Sequence, residues 1–138
     1  MRCWTIDTNV IVSGLLNPSG PPARVLDAVV YGRLKMVYDS RMLAEYRDVL
    51  HRPRLKLRPE AVHAFLESLR GQMLVDPTAI TAEGPDPDDL PFVAAALCVP
   101  DRTIVTGNLA DYPDEILNGV RVITPAQAAA ELPLAAQD

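Results

Sequence analysis

Asp7, Asp39, Glu45, Asp88, Asp89 and Asn108 are the residues whose types and placement suit divalent-cation chemistry. Asp7 and Asp39 end two apolar, strand-like runs, and Asn108 follows a third. Asp88 and Asp89 open an apolar helical run, and Glu45 sits at the edge of an apolar helical stripe. Carboxylates that converge on one point repel one another unless a cation neutralises them. Mg²⁺ is a hard ion that takes oxygen ligands and keeps several waters. Bound there, Mg²⁺ or Mn²⁺ can activate water and steady the charge that develops on a phosphate. Each acid alone also has an ordinary role. Asp7 can cap a helix, Glu45 can be a solvated helix residue, and Asp88 and Asp89 can be favourable charges at a helix N-terminus. The chemistry depends on their convergence.

The elements that must bring them together follow from hydrophobic periodicity. Cys3 to Ile6, Lys35 to Tyr38, Met73 to Val75, Thr103 to Thr106 and Val120 to Ile123 read as short buried strands. Helices are expected from the Asp7-Thr8-Asn9 cluster to Leu16, and from Pro21-Pro22 to a stop at Gly32. A third is expected after Ser40 as cap, ended by Pro53. A fourth starts at Pro59, with Val62, Phe65, Leu66, Leu69 and Met73 on one face. That face can bury in the core or pair with another subunit, and core is the default. Thr78 to Pro87 reads as an irregular loop, and a helix is expected from Asp88-Asp89 to Leu97. Asp114 to Leu117 reads as a helical turn, and Thr124 caps a last helix, Pro125 to Leu132.

Strands alternating with helices predict an α/β fold: a three-layer α/β/α sandwich with a central, mostly parallel sheet. Ligands of such sheets bind at the carboxyl ends of the strands, where these acids fall. The expected organisation is one domain over 1–133 with a frayed tail over 134–138.

Composition narrows the function classes. With 138 residues, 49% hydrophobic and 22% charged, the chain is expected to be globular, and its 5% aromatic content leaves the core to aliphatic residues. The net charge of −5 argues against a general nucleic-acid-coating protein but not against a nuclease with an acidic metal site. Trp4 and Thr5 lead directly into Ile6-Asp7, so no secretory signal is expected. No apolar run reaches the length of a membrane span. Cys3 and Cys98 lack metal-ligand spacing and are expected to be free buried thiols of a cytoplasmic protein rather than a disulfide.

Four motifs in series carry a family resemblance. Ile6-Asp7-Thr8-Asn9-Val10-Ile11-Val12-Ser13 resembles the opening of PIN-domain proteins, the toxin components of VapBC-type toxin–antitoxin pairs. Asp86-Pro87-Asp88-Asp89-Leu90-Pro91-Phe92-Val93-Ala94-Ala95-Ala96 resembles their third acidic motif, and Ile104 to Pro113 the segment around the fourth. Val122-Ile123-Thr124-Pro125 resembles the closing strand. The match keeps the order and covers nearly the whole chain.

The resemblance implies Asp7, Glu45 and Asp89 as the acidic metal ligands and catalytic trio. Asp86 and Asp88 are implied as supporting neighbours. The fourth acid of the family is Asn108 here; its amide oxygen can coordinate Mg²⁺ or Mn²⁺ but adds no charge, and Asp111 is the candidate to compensate. Thr106 is implied as a hydrogen-bonding member of the cluster. The implied activity is a metal-dependent endoribonuclease that cleaves single-stranded RNA by metal-activated water, leaving a 5′-phosphate and a 3′-hydroxyl. A cognate antitoxin and a homodimer are the implied partners. An acidic pocket needs cations to hold RNA, and Arg47, Arg52, Arg54, Lys56 and Arg58 form the dense basic run; a solvated connector is the alternative for it. The alternative function is a non-catalytic PIN-fold module that binds RNA or protein with a weakened metal site. A haloacid-dehalogenase-like phosphatase also has an Asp after its first strand but expects a second Asp where this chain has Asn9.

Overall fold

The computed structural model describes residues 1–79, 90–113 and 119–133. Five short strands form its centre: β1 (Cys3–Ile6), β2 (Lys35–Tyr38), β3 (Met73–Leu74), β4 (Thr103–Val105) and β5 (Arg121–Ile123). They lie in the order β3-β2-β1-β4-β5, and every neighbouring pair is parallel. Strands β1, β2 and β4 are buried on both faces, which is why they read as unbroken apolar runs rather than alternating ones.

The helices among the described residues are α1 (Thr8–Leu16), α2 (Pro21–Val30), α3 (Ser40–Leu50), α4 (Pro59–Ser68), α5 (Leu90–Leu97) and α6 (Pro125–Glu131). Helix α5 lies across β1, β2 and β4, where its buried Ala94, Ala95 and Ala96 allow close approach to the sheet. Helix α2 packs against both α1 and α6 in the other layer. The α/β/α sandwich expected from the sequence is the observed architecture. Gly14 brings α1 and α2 together: a Cβ there would stand 2.6 Å from Leu26 Cδ1.

Helix boundaries follow local chemistry. Pro21 and Pro22 open α2, and Gly32 beyond its end takes φ +77°, a conformation that costs a side-chain-bearing residue strain. Thr124 and Gln127 form a reciprocal capping box at α6. Several details differ from expectation: β3, β4 and β5 are each one residue shorter than read from the sequence. Asp39, not Ser40, caps α3, accepting from Met42 N at 2.8 Å; its carboxylate reaches the third amide, while Ser40 is already helical. Helix α4 does not continue to Met73, because the chain tightens into a single turn at Leu69–Gly71 and Met73 enters β3. The apolar face of α4 is spent inside the chain, since Val62, Phe65 and Leu69 are all buried. Cys3 and Cys98 are free thiols and half-buried rather than buried. The expected loop from Thr78 to Pro87 begins instead in a single 3-10 turn, Pro77–Ala79; its remainder, the helix start at Asp88-Asp89, the turn at 114–117 and the tail at 134–138 fall outside the described residues.

Thr5 in the central strand is 0% exposed, and its hydroxyl is the buried side-chain polar atom left without a hydrogen-bond partner among the described residues. Leaving a buried hydroxyl unsatisfied costs stability, whereas an apolar group of the same shape does not. Thr5→Val is expected to raise the unfolding free energy by about 1 kcal/mol, read from the urea midpoint at unchanged slope. A loss of stability would mean that this hydroxyl is bonded after all.

Candidate active site

Strand register sets the centre of the site. Ile6 pairs with Val105 across β1 and β4, so Asp7 and Thr106 are the first residues beyond that pair on adjacent strands. Asp7 N donates to Val105 O at 2.9 Å and Thr106 N donates to Ile123 O at 2.9 Å, which holds both in line as the strands end. Strand β1 is followed by β2 on one side and flanked by β4 on the other, so the chain's crossovers diverge here. This is the switch-point crevice where open α/β sheets bind ligands.

The Asp7 carboxylate is 7% exposed and is held by four donors. Its Oδ1 accepts from Thr8 N at 2.8 Å. Its Oδ2 accepts from Thr106 Oγ1 at 2.9 Å, Tyr112 Oη at 3.1 Å and Asn9 Nδ2 at 3.2 Å. Asp7 thus caps α1 with one oxygen and gathers three side chains on the other. Burial pushes its proton affinity up, and the nearby Asp111 charge adds to this; the bonds from Thr106, Tyr112 and Thr8 pull the other way without cancelling the rise.

Asn9 braces the crevice. Its amide donates to Asp7 and, at 3.4 Å, to Thr106 Oγ1, while its Oδ1 accepts from Gly107 N at 3.0 Å. A phosphatase-like second acid would lose those donor bonds at this position. Thr106 Oγ1 also accepts from Asn108 N at 3.1 Å, and Asn108 Nδ2 donates to Asp111 Oδ2 at 2.8 Å. A chain of contacts thus runs from Asp7 through Thr106 and Asn108 to Asp111.

Glu45 reaches the same region from α3. Its Oε2 accepts a short hydrogen bond from Thr8 Oγ1, the first residue of α1. The adjacent Tyr46 fixes α3 there: it is 0% exposed, its hydroxyl donates to Ile6 O at 2.7 Å, and its ring packs on Phe65 and Phe92. Burial, together with the charges of Asp7, Glu45 and Asp39, holds the Tyr46 hydroxyl firmly protonated. Asp39 itself turns aside to cap α3 and pair with Arg41 at 3.1 Å.

Asp86, Asp88 and Asp89 lie outside the described residues, so the structure brings together Asp7, Glu45, Thr106, Asn108 and Asp111. Among the described residues no three His, Cys, Asp or Glu side chains form a metal-holding group. The donors present are nonetheless all oxygen: two carboxylates held by hydroxyl and amide donors, with Asn108 and Asp111 alongside. That set suits a hard cation and not a soft one, and a buried carboxylate with raised proton affinity is the electrostatic state that a cation relieves.

The basic run lies on the end of α3 and the connector to α4. Arg47, Arg52, Arg54, Lys56 and Arg58 are exposed. Arg52 pairs with Asp48 at 2.8 Å and Arg58 with Glu60 at 4.0 Å. Among the described residues Arg47, Arg54 and Lys56 have no ion pair. Thr8, Asn9, Tyr46 and Tyr112 are site-forming residues that sequence reasoning did not single out as such. Thr8 and Asn9 stood within the opening motif and Tyr112 within the segment Ile104 to Pro113; nothing in the sequence marked either tyrosine's hydroxyl, whose partner is set by strand register and helix packing.

Fold and site together define a parallel α/β protein with a carboxylate centre at its switch point. The PIN domain family matches residues 4–110, which is 107 of the 138 residues, and the chain belongs to that family. The matched segment holds Asp7, Glu45, Asp89, Thr106 and Asn108 and ends one residue before Asp111. No curated protein and no solved structure matches the chain. PIN domains are typically nucleases, hydrolases that bind nucleic acid and generally use divalent metals. Among the described residues no helix is long and apolar enough to cross a membrane.

The raised Asp7 proton affinity has a measurable sign. Folding takes up a proton between an ordinary aspartate value of about 4 and the raised folded value. The stability linked to this group is full below the lower value and is lost as pH rises through the upper one. In metal-free buffer, the melting temperature of Asp7→Asn minus that of the parent chain is expected to increase as pH rises through that window. A difference that stays flat with pH would show that Asp7 titrates as in the unfolded chain.

Proposed function

We propose that the chain is a divalent-metal-dependent endoribonuclease that cleaves single-stranded RNA, with Asp7, Glu45 and Asp89 as its acidic centre and Asn108 and Asp111 as the remaining oxygen donors. The observation that carries this reading is the Asp7 carboxylate, buried at the switch point and held by Thr106, Tyr112, Asn9 and the Thr8 amide. A buried acid with so many dedicated donors is oriented far more tightly than a helix cap requires. When bound, Mg²⁺ or Mn²⁺ would neutralise the acids and lower the pKa of an attacking water.

The chain's own residues supply position and charge. Thr106 and Tyr112 donate to Oδ2, so the Asp7 carboxylate cannot rotate, and Oδ1 keeps a lone pair beside the Thr8 amide. Thr8 orients Glu45 towards the same crevice. Asn108 donates its amide N–H to Asp111, which leaves the Asn108 Oδ1 as a neutral oxygen donor. Arg47, Arg52, Arg54, Lys56 and Arg58 supply the cations that an acidic centre needs to hold a polyanion. The order of the four family-like motifs further supports a role as the toxin of a cytoplasmic toxin–antitoxin pair, acting as a homodimer. A small reading frame just upstream in the genome would support that role.

Purified protein is expected to cleave a fluorescent single-stranded RNA in Mg²⁺ or Mn²⁺ and not in EDTA. Asp7→Asn is expected to lower the rate by at least about a hundredfold, the scale of one lost electrostatic element. Cleavage that survives Asp7→Asn sinks the site assignment. Its absence under every divalent ion favours a non-catalytic binding module, a reading that the neutral Asn108 supports. Mg²⁺ is also expected to raise the melting temperature of the parent chain at pH 7, through binding to the folded state alone, and to leave Asp7→Asn unchanged.

Asn108→Asp gives a second handle. It replaces the amide donor on Asp111 with a like charge, so the metal-free protein is expected to lose stability while its affinity for Mn²⁺, read by calorimetry, rises several-fold. Unchanged Mn²⁺ affinity would place Asn108 outside the ligand set.

A further inference from the structure

The end of α3, the connector after it and the start of α4 enclose a concavity of about 240 Å³. Leu50, Leu57 and Val62 form its apolar floor, and His51, Arg52 and Lys56 stand at its rim. None of these residues belongs to the carboxylate centre. The volume falls below the roughly 300 Å³ at which whole small-molecule sites begin, so it suits one moiety of a longer ligand.

Charge indicates which ligand. Residues 47–58 hold five of the chain's 13 Lys and Arg residues, in a protein of net charge −5. Asp48 and Glu60 are the acids paired to this run, and both ion pairs are exposed, where such pairs are weak and readily exchanged. The rim is thus a local cationic patch on an acidic protein, the footprint of a polyanion rather than of a neutral peptide.

Local geometry adds two points. Lys56 sits at φ 53°, a left-handed conformation uncommon for a side-chain-bearing residue, and its N–H is held on Pro53 O at 3.1 Å. Strain of this kind concentrates at ligand clamps. His51 Nδ1 donates to Arg47 O at 2.6 Å, which fixes the imidazole at the end of α3. A fixed imidazole beside an apolar floor is a stacking surface for an unpaired base. From Glu45 to Leu50 is five residues of one helix, about 8 Å along its axis, a span of a nucleotide or two.

We propose that this concavity seats one base of single-stranded RNA flanking the cleavage position, stacked on His51 over the apolar floor, with Arg52 and Lys56 on the adjoining phosphates. The inference rests on the RNA-cleaving reading above and assigns that substrate a second contact.

The test measures fluorescence anisotropy of a labelled ten-nucleotide single-stranded RNA in EDTA over a series of salt concentrations. Arg52→Gln/Lys56→Gln is expected to weaken binding at least fivefold at low salt. It should also flatten the slope of log K against log salt by about 1.4, from about 0.7 per lost phosphate contact on single strands. Replacing successive bases with abasic sites is expected to cost the parent chain threefold or more at one position and to cost His51→Ala nothing there. RNA carrying 4-thiouridine at that position should crosslink to the segment 50–62 of the unmutated protein.

Affinity of the double variant within twofold of the parent at an unchanged circular dichroism spectrum overturns the proposal, as does a crosslink confined to another segment. A Glu-rich peptide whose binding depends on Arg52 and Lys56, while RNA binding does not, overturns it in favour of a protein partner. If the parent chain neither binds nor cleaves RNA, the nuclease reading falls with it; if it does both and the variants behave as the parent, only the base seat falls.

Discussion

A carboxylate buried at the end of a central strand must be satisfied, or the strand cannot end there. In this chain that demand falls on Asp7, and the surrounding structure is organised around it. The β1–β4 register puts Thr106 beside it, the turn after β4 brings Tyr112 over it, and Asn9 ties the two strand ends together. Helix α3 is locked to the same edge by the Tyr46 hydroxyl on Ile6 O, which carries Glu45 with it. The hydrogen bonds lower the cost of burying the acid but leave its proton affinity raised, so the crevice retains an unmet demand for positive charge.

The acidic centre and the dense basic run occupy different parts of the chain. The acids gather at the carboxyl ends of β1 and β4, while the basic run occupies the far end of α3 and the connector to α4. Helix α3 is the physical link between them: one of its residues faces Thr8 and its last turn opens onto the cationic rim. An acidic total is therefore compatible with a local concentration of positive charge. Net charge alone was a weak guide because it averages over these two regions.

Much of the fold was legible in the sequence because its signals are local. Strands β1 and β2 run between the residues expected, since both are buried on both faces and so read as plain apolar runs. Prolines 21, 59 and 125 mark helix starts through their fixed φ and missing N–H, and the Thr124–Gln127 box is a motif in its own right. The Asp39 cap was misplaced by one residue because Asp and Ser both cap well and only the backbone geometry decides between them. Tyr46 and Tyr112 were illegible for a different reason: each looks like a core aromatic, and its hydroxyl acquires a meaning only once a strand 40 or 105 residues away has been set beside it. Asp7 stood out by motif, Glu45 by its place on the helix after β2 and Asn108 as an amide where the motif has an acid, whereas the concavity beyond α3 came from a turn and a left-handed Lys56 that no periodicity announces.

The sequence distance between Asp7 and its donors has a temporal side. Thr8 and Asn9 are its immediate neighbours, but Thr106 and Tyr112 follow it by 99 and 105 residues. In the order of translation Asp7 therefore precedes two of its three side-chain donors by about a hundred residues, and the crevice closes only when β4 and the turn beyond it have been set beside β1. A rigid Asp7 is thus a property of long-range strand pairing and not of the local segment that carries it.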